Sequence, residues 1–160
     1  MSLKCEIAFT LNGRPARVEV PPEMSALSML REVLGLTGSK YACGEGECGA
    51  CTILLDGLSV TACLLFAVDC ADRELVTIEG LRSDAELDPV QRAFVDEGAI
   101  QCGFCMPGMI VQAKYLLSRY AQPTEEQIRR GFEGNLCRCT GYRKVIDAVA
   151  AAAAGRGAGA

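Results

Sequence analysis

The chain has 160 residues, enough for one domain or two small ones, and half of them are apolar, so it can bury a core. A formal net charge of -4 leaves no basic stripe to neutralise phosphates, which argues against a nucleic-acid partner. Histidine is absent, which removes the commonest general acid/base and excludes both a Rieske cluster and a Cys2His2 zinc site, so any metal must be held by sulfur, with carboxylate a distant second.

The start, Met1-Ser2-Leu3-Lys4-Cys5-Glu6, lacks the apolar stretch of a signal peptide. No window reaches the length of a membrane span: the run 62–68 stops at Asp69, and the run 145–154 contains Asp147. The expectation is a cytoplasmic protein. There thiols stay reduced, and clustered cysteines read as metal ligands before they read as disulfides.

Residues 6–20 read as a hairpin, with Ile7, Phe9 and Leu11 alternating before Asn12-Gly13, and Val18 and Val20 after it. Ser25 is placed to cap a helix reaching about Leu34, with Leu27, Leu30, Val33 and Leu34 on one face. A glycine-rich loop follows over 40–51. Thr52–Leu55 and Leu58–Thr61 flank Asp56-Gly57, a strong hairpin signal, and Leu75–Ile78 gives one more strand. This pattern predicts a small α+β unit over residues 1–80, a mixed sheet covered by one helix.

The second half changes character. Asp88-Pro89 opens a helix to about Glu97, and Pro107 plays the same part for a helix from about Met106 to Tyr120. Thr124-Glu125-Glu126-Gln127 reads as a capping box for a helix to about Phe132. Thr140 is expected to cap a final helix from Tyr142 to Ala152. Four helices with short connections predict a helical bundle over 81–152, joined by a linker at 80–87 and followed by a flexible Ala/Gly tail over 153–160. The basic pairs Arg129-Arg130 and Arg143-Lys144 are expected on solvated helix faces or at a protein partner.

Eight of the ten cysteines fall into two sets of four. Cys43-x4-Cys48-x2-Cys51, closed by Cys63, has the spacing of plant-type [2Fe–2S] ferredoxins. Between these ligands, Gly44, Gly46 and Gly49 let the backbone curl closely around an inorganic core, and inward N–H groups can then stabilise its charge. The second set pairs Cys102-x2-Cys105 with Cys137-x-Cys139, each pair just ahead of a predicted helix, where free N–H groups and the helix dipole favour anionic ligands. Cys-x2-Cys alone is shared with zinc sites, so for this set zinc stays open, although Cys-x-Cys is unusual for zinc fingers. Cys5 and Cys70 lack partners at ligand spacing and read as small packing hydrophobes. Glu45 and Glu47 read as solvated.

Three runs carry a specific resemblance: 43–52 (CGEGECGACT), 101–109 (QCGFCMPGM) and 134–142 (GNLCRCTGY). Together, and in this order, they resemble the iron–sulfur subunit of the xanthine oxidase family of molybdenum hydroxylases, over about residues 5–150. The resemblance implies a ferredoxin-like β-grasp domain followed by a four-helix bundle domain. It implies that Cys43, Cys48, Cys51 and Cys63 hold the cluster distal from molybdenum, and that Cys102, Cys105, Cys137 and Cys139 hold the proximal one. It places Gln101 and Cys139 beside the pterin of a partner large subunit, where the molybdopterin commonly carries a cytosine dinucleotide in bacteria. It adds an FAD-binding medium subunit, which takes the electrons. Two departures stand out: Ala42 where the family often has Gly, and Met106 where it usually has Thr; neither removes a ligand.

The expected function is that of an electron-transfer subunit, passing electrons from the molybdopterin site through the proximal and then the distal cluster to FAD or another acceptor. The chain would hold no substrate-converting site of its own. The alternative is a free-standing two-cluster ferredoxin, and a zinc-stapled module is a second rival. The substrate is not legible, because such a subunit does not touch it.

Overall fold

The computed structural model describes residues 3–82 and 86–157, and for 156–157 the backbone alone. The chain is α+β. Five strands form one mixed sheet in the order β2-β1-β5-β3-β4, from β1 (Cys5–Leu11), β2 (Arg14–Val20), β3 (Thr52–Leu55), β4 (Leu58–Thr61) and β5 (Glu74–Val76). β1 runs parallel to β5, and every other pair is antiparallel.

Both hairpins form where the turn residues demand. Asn12 (φ 52°) and Gly13 (φ 76°) join β1 to β2, and Asp56 (φ 49°) and Gly57 (φ 77°) join β3 to β4. Positive φ at both central residues is the turn whose twist matches the flanking strands. β5 is shorter than expected. The Thr77 N–H donates to Asn12 Oδ1 at 2.9 Å, so the backbone leaves the sheet and turns into a 3-10 segment, Ile78–Gly80.

The covering helix differs too. Ser25 caps α1 (Ala26–Ser28), accepting from the Ser28 N–H at 3.1 Å, but the helix widens into a π turn over Met29–Val33. Leu34 N–H reaches back five residues to Met29 C=O at 3.0 Å. The wider turn advances less angle per residue. Met29 enters the core, while Val33, expected on the buried face, is 46% exposed.

The helical half contains α2 (Pro89–Asp96), α3 (Met106–Arg119), α4 (Glu125–Gly131) and α5 (Arg143–Gly157). Asp88 and Gln91 form a full capping box at α2, and Thr124 and Gln127 form another at α4. Asp88 also pairs with Lys114 of α3. α5 runs five residues past its expected end at Ala152, because alanine favours the helix and Ala152 and Ala153 pack into the core. Residues 83–85 of the expected linker and 158–160 of the expected tail lie outside the described residues. The basic pairs lie on helix faces: Arg129 and Arg130 pair with Glu125 and Glu126, and Arg143 pairs with Asp147.

Two buried clusters result. One lies between the sheet and α1, around Phe9, Leu30, Ile53 and Leu75; the other lies among the helices, around Phe94, Met109, Ile128 and Val145. The halves meet where α3 crosses β3 and β4. A Cβ on Gly108 of α3 would lie 2.1 Å from the Gly49 carbonyl oxygen, so only glycine permits this approach. Among the described residues, no helix is long and apolar enough to cross a membrane.

Candidate metal centres

The tertiary structure gathers both cysteine sets, each as two facing pairs. In the first set Cys43 contacts Cys48, and Cys51 contacts Cys63. In the second, Cys105 contacts Cys137, while the Cys139 and Cys102 sulfurs lie 3.6 Å apart. That separation is far beyond a disulfide bond, and all ten thiols are free. Among the described residues, no three Cys, Asp or Glu side chains gather as one ion would need. Pairs are instead the unit a two-iron cluster requires, since each iron takes two thiolates.

Loop geometry serves the first set. Gly44, Gly46 and Gly49 have φ of 73°, 78° and 65°. The curled backbone aims the Glu45 N–H at Cys43 Sγ, 3.4 Å away. This donor, aided by the Cys48 backbone, lowers the Cys43 thiol to about 6. Cys51 lies deeper, and burial pushes it up to about 12. A metal would reverse that, because a coordinating thiol is deprotonated outright.

The second set shows the same division of labour with different donors. Burial pushes Cys105 up to about 12, and its contact with Cys137 adds to this. Cys137 is raised by its own burial, but the Thr140 hydroxyl at 3.2 Å and Thr140 N–H at 3.5 Å outweigh this and hold it below the usual thiol range. Thr140 is therefore a sulfur donor as well as the acceptor of the Tyr142 N–H, at 3.3 Å. Tyr142 sits at φ 68°, so the backbone is still left-handed there and the helix begins after it. The Tyr142 hydroxyl accepts the Cys137 N–H at 2.8 Å and donates to the Asn135 carbonyl at 3.2 Å.

Exposure separates the sets. Cys102, Cys139 and Gln101 all face solvent, and the apolar side chains of Ile100, Phe104 and Leu136, close to them along the chain, are exposed too. Glu45 and Glu47 are exposed, as expected. Cys70 is buried in the sheet core, and Cys5 is half-buried opposite Val20; neither joins a set. Met106 is buried in the helical core. Asn135 and Tyr142 are the organising residues that sequence reasoning passed over. Cys-x-Cys leaves only one residue between its ligands, so side chains nearby must help hold the turn, and that was the available signal.

Residues 9–75 match the family described as "2Fe-2S iron-sulfur cluster binding domain", and residues 77–150 match the "[2Fe-2S] binding domain" family. The small FeS subunit of nicotinate dehydrogenase from Eubacterium barkeri is 44% identical, over 91% of this chain and 93% of its own. The xanthine dehydrogenase iron-sulfur-binding subunit of Escherichia coli O157:H7 is 41% identical over 89% of this chain and 91% of its own. The chain belongs to the iron–sulfur subunit family of the xanthine oxidase-type molybdenum hydroxylases. The crystal structure of quinoline 2-oxidoreductase from Pseudomonas putida 86 contains a chain that agrees in shape, with a TM-score of 0.94, 41% identity and 98% coverage of both chains. By its membership of this family the chain is an electron-transfer subunit of an oxidoreductase, with one [2Fe–2S] domain after the other.

Proposed function

We propose that this chain is the wire from a molybdopterin-bearing large subunit to an electron acceptor, with Cys43, Cys48, Cys51 and Cys63 holding the distal cluster and Cys102, Cys105, Cys137 and Cys139 the proximal one. The observation that carries the reading is the resolution of each four-cysteine set into two facing pairs. The donor set fits: it is all sulfur, with N–H and hydroxyl donors aimed at Cys43 and Cys137. The first cluster belongs to a β-grasp domain over 1–80, and the second to a four-helix bundle over 81–152.

When bound, the clusters supply one-electron transfer; the protein supplies position and electrostatics. Gln101 and Cys139, both exposed, face the pterin of the large subunit, and its cofactor is a molybdopterin cytosine dinucleotide. The exposed apolar side chains close to them along the chain suit burial against that partner. The Leu136 N–H donates to the Cys48 carbonyl at 2.9 Å, which joins the two cysteine loops one residue before Cys137. The acceptor is an FAD-bearing subunit beside the distal set, and the complex is cytoplasmic. Relatives named for nicotinate, quinoline and xanthine support N-heteroaromatic compounds as the substrate class of the large subunit.

Metal analysis and electron paramagnetic resonance of the dithionite-reduced complex test this reading. It expects about four irons per chain, two distinct [2Fe–2S] signals and co-purifying molybdenum. Iron without molybdenum or a partner would make the chain a free ferredoxin, and zinc in place of iron would overturn electron transfer.

A further inference from the structure

Asn135 is 4% exposed and lies between the two cysteine sets. Its Nδ2 donates to the Gly49 carbonyl at 3.1 Å and to Thr52 Oγ1 at 3.3 Å. Gly49 stands between Cys48 and Cys51, while Asn135 precedes Cys137 by two residues. The side chain therefore ties one cysteine loop to the other.

The Gly49 carbonyl does not need Asn135 to be satisfied. It already accepts from the Thr52 hydroxyl at 2.7 Å and from the Thr52 N–H at 3.1 Å. What Asn135 adds is a second tie across the halves, beside the bond from the Leu136 N–H to the Cys48 carbonyl. One hydrogen bond between two loops leaves them free to rotate about it; two, from adjacent residues, do not. Tyr142 braces the arrangement from behind, its hydroxyl holding both the Asn135 carbonyl and the Cys137 N–H. Its left-handed backbone is a conformation that persists in a non-glycine residue only when the surroundings over-determine it.

We propose that Asn135, braced by Tyr142, is a positioning residue that fixes the separation and orientation of the two clusters, and with them their electronic coupling. This rests on the cluster assignment above. Coupling between redox centres falls steeply with separation and depends on the bonds that connect them. A side chain that locks the loops therefore acts on electron transfer without touching either metal.

The test is Asn135→Ala in the purified holo-complex, with Tyr142→Phe as a second, milder variant. Iron content and the individual signal of each cluster stay as in the unsubstituted complex. The magnetic splitting between the two reduced clusters, seen by low-temperature electron paramagnetic resonance, shrinks or disappears in Asn135→Ala and shrinks less in Tyr142→Phe. Electron equilibration between the clusters after rapid mixing slows in the same order. Unchanged splitting in both variants overturns the proposal, including where thermal stability has fallen, because a space-filling asparagine would lower stability alone. Loss of iron from the Cys102 set in both variants also overturns it, making Asn135 a residue of cluster assembly. An unsubstituted complex without two [2Fe–2S] signals is a different failure: it removes the cluster assignment itself.

Discussion

The two cysteine loops meet the same electrostatic demand with different means. The loop over 43–51 is long and glycine-rich, so its own backbone curls and supplies the N–H donor at Cys43. The turn over 137–142 adds a side chain to its backbone: Thr140 turns both its N–H and its hydroxyl to Cys137 Sγ, while the Tyr142 hydroxyl holds the Cys137 N–H. The first loop pins itself to a sheet through Cys63. The second stands at helix starts, with Cys102 and Cys139 open to solvent. An N–H donor is independent of side-chain identity, whereas a hydroxyl is lost by one substitution. The second site is thus the more fragile to side-chain change, and the first to any change at its glycines.

The largest break in this comparison is Cys139→Ala. Iron falls from about four to about two per chain, the distal signal survives, and substrate no longer reduces it. Metal analysis and electron paramagnetic resonance read all three, and normal substrate-driven distal reduction would reject the order of the two clusters.

Next is Gly49→Ala. At φ 65° its new Cβ would lie 2.3 Å from the Gly134 carbonyl oxygen and 2.4 Å from Asn135 Nδ2. Backbone strain and overpacking together predict a loss of about 3 kcal/mol, measured by denaturant unfolding, with both signals altered because the loops meet there.

Cys70→Ser tests the boundary of the first set. Its side chain is fully buried beside the Ala67–Cys70 turn, and burying a hydroxyl there costs about 1–3 kcal/mol. Iron stays at about four per chain, since Cys70 belongs to neither set; loss of iron would make it a ligand.

The smallest effect concerns Asp56, in the hairpin that leads to Cys63. The Glu74 N–H, and then the Arg73 guanidinium, hold its carboxyl below the usual 3.8. A lowered folded value stabilises the protein above pH 3.8 and is lost as pH falls through the folded value. Asp56→Asn should melt slightly lower at neutral pH, with the gap from the unsubstituted protein closing in acid. A gap independent of pH would assign the effect to the turn alone.

Much of this was legible in the residues because it is local. Asn12-Gly13 and Asp56-Gly57 demand left-handed backbone and so announce their hairpins. Asp88-Pro89 and Thr124 through Gln127 announce helix starts, because capping is settled within four residues. The misplaced details came from competition between local and distant partners. Thr77 gives its N–H to Asn12, 65 residues away, and the strand ends early. Thr140 accepts the Tyr142 N–H as a cap would, but left-handed backbone at Gly141 and Tyr142 delays the helix to Arg143. The π turn at Met29 owes its register to packing on the sheet, which no helical periodicity encodes.

The sequence by itself determined the ligand chemistry, because sulfur spacing, the lack of histidine and the glycines between ligands are properties of the chain. It also determined the α+β order of elements, since turns and caps act over a few residues. Only the tertiary structure decided which sulfurs face which, and that Asn135 and Leu136 tie one cysteine loop to the other. Those partners are more than eighty residues apart, and contacts at that range exist only once both cores have packed.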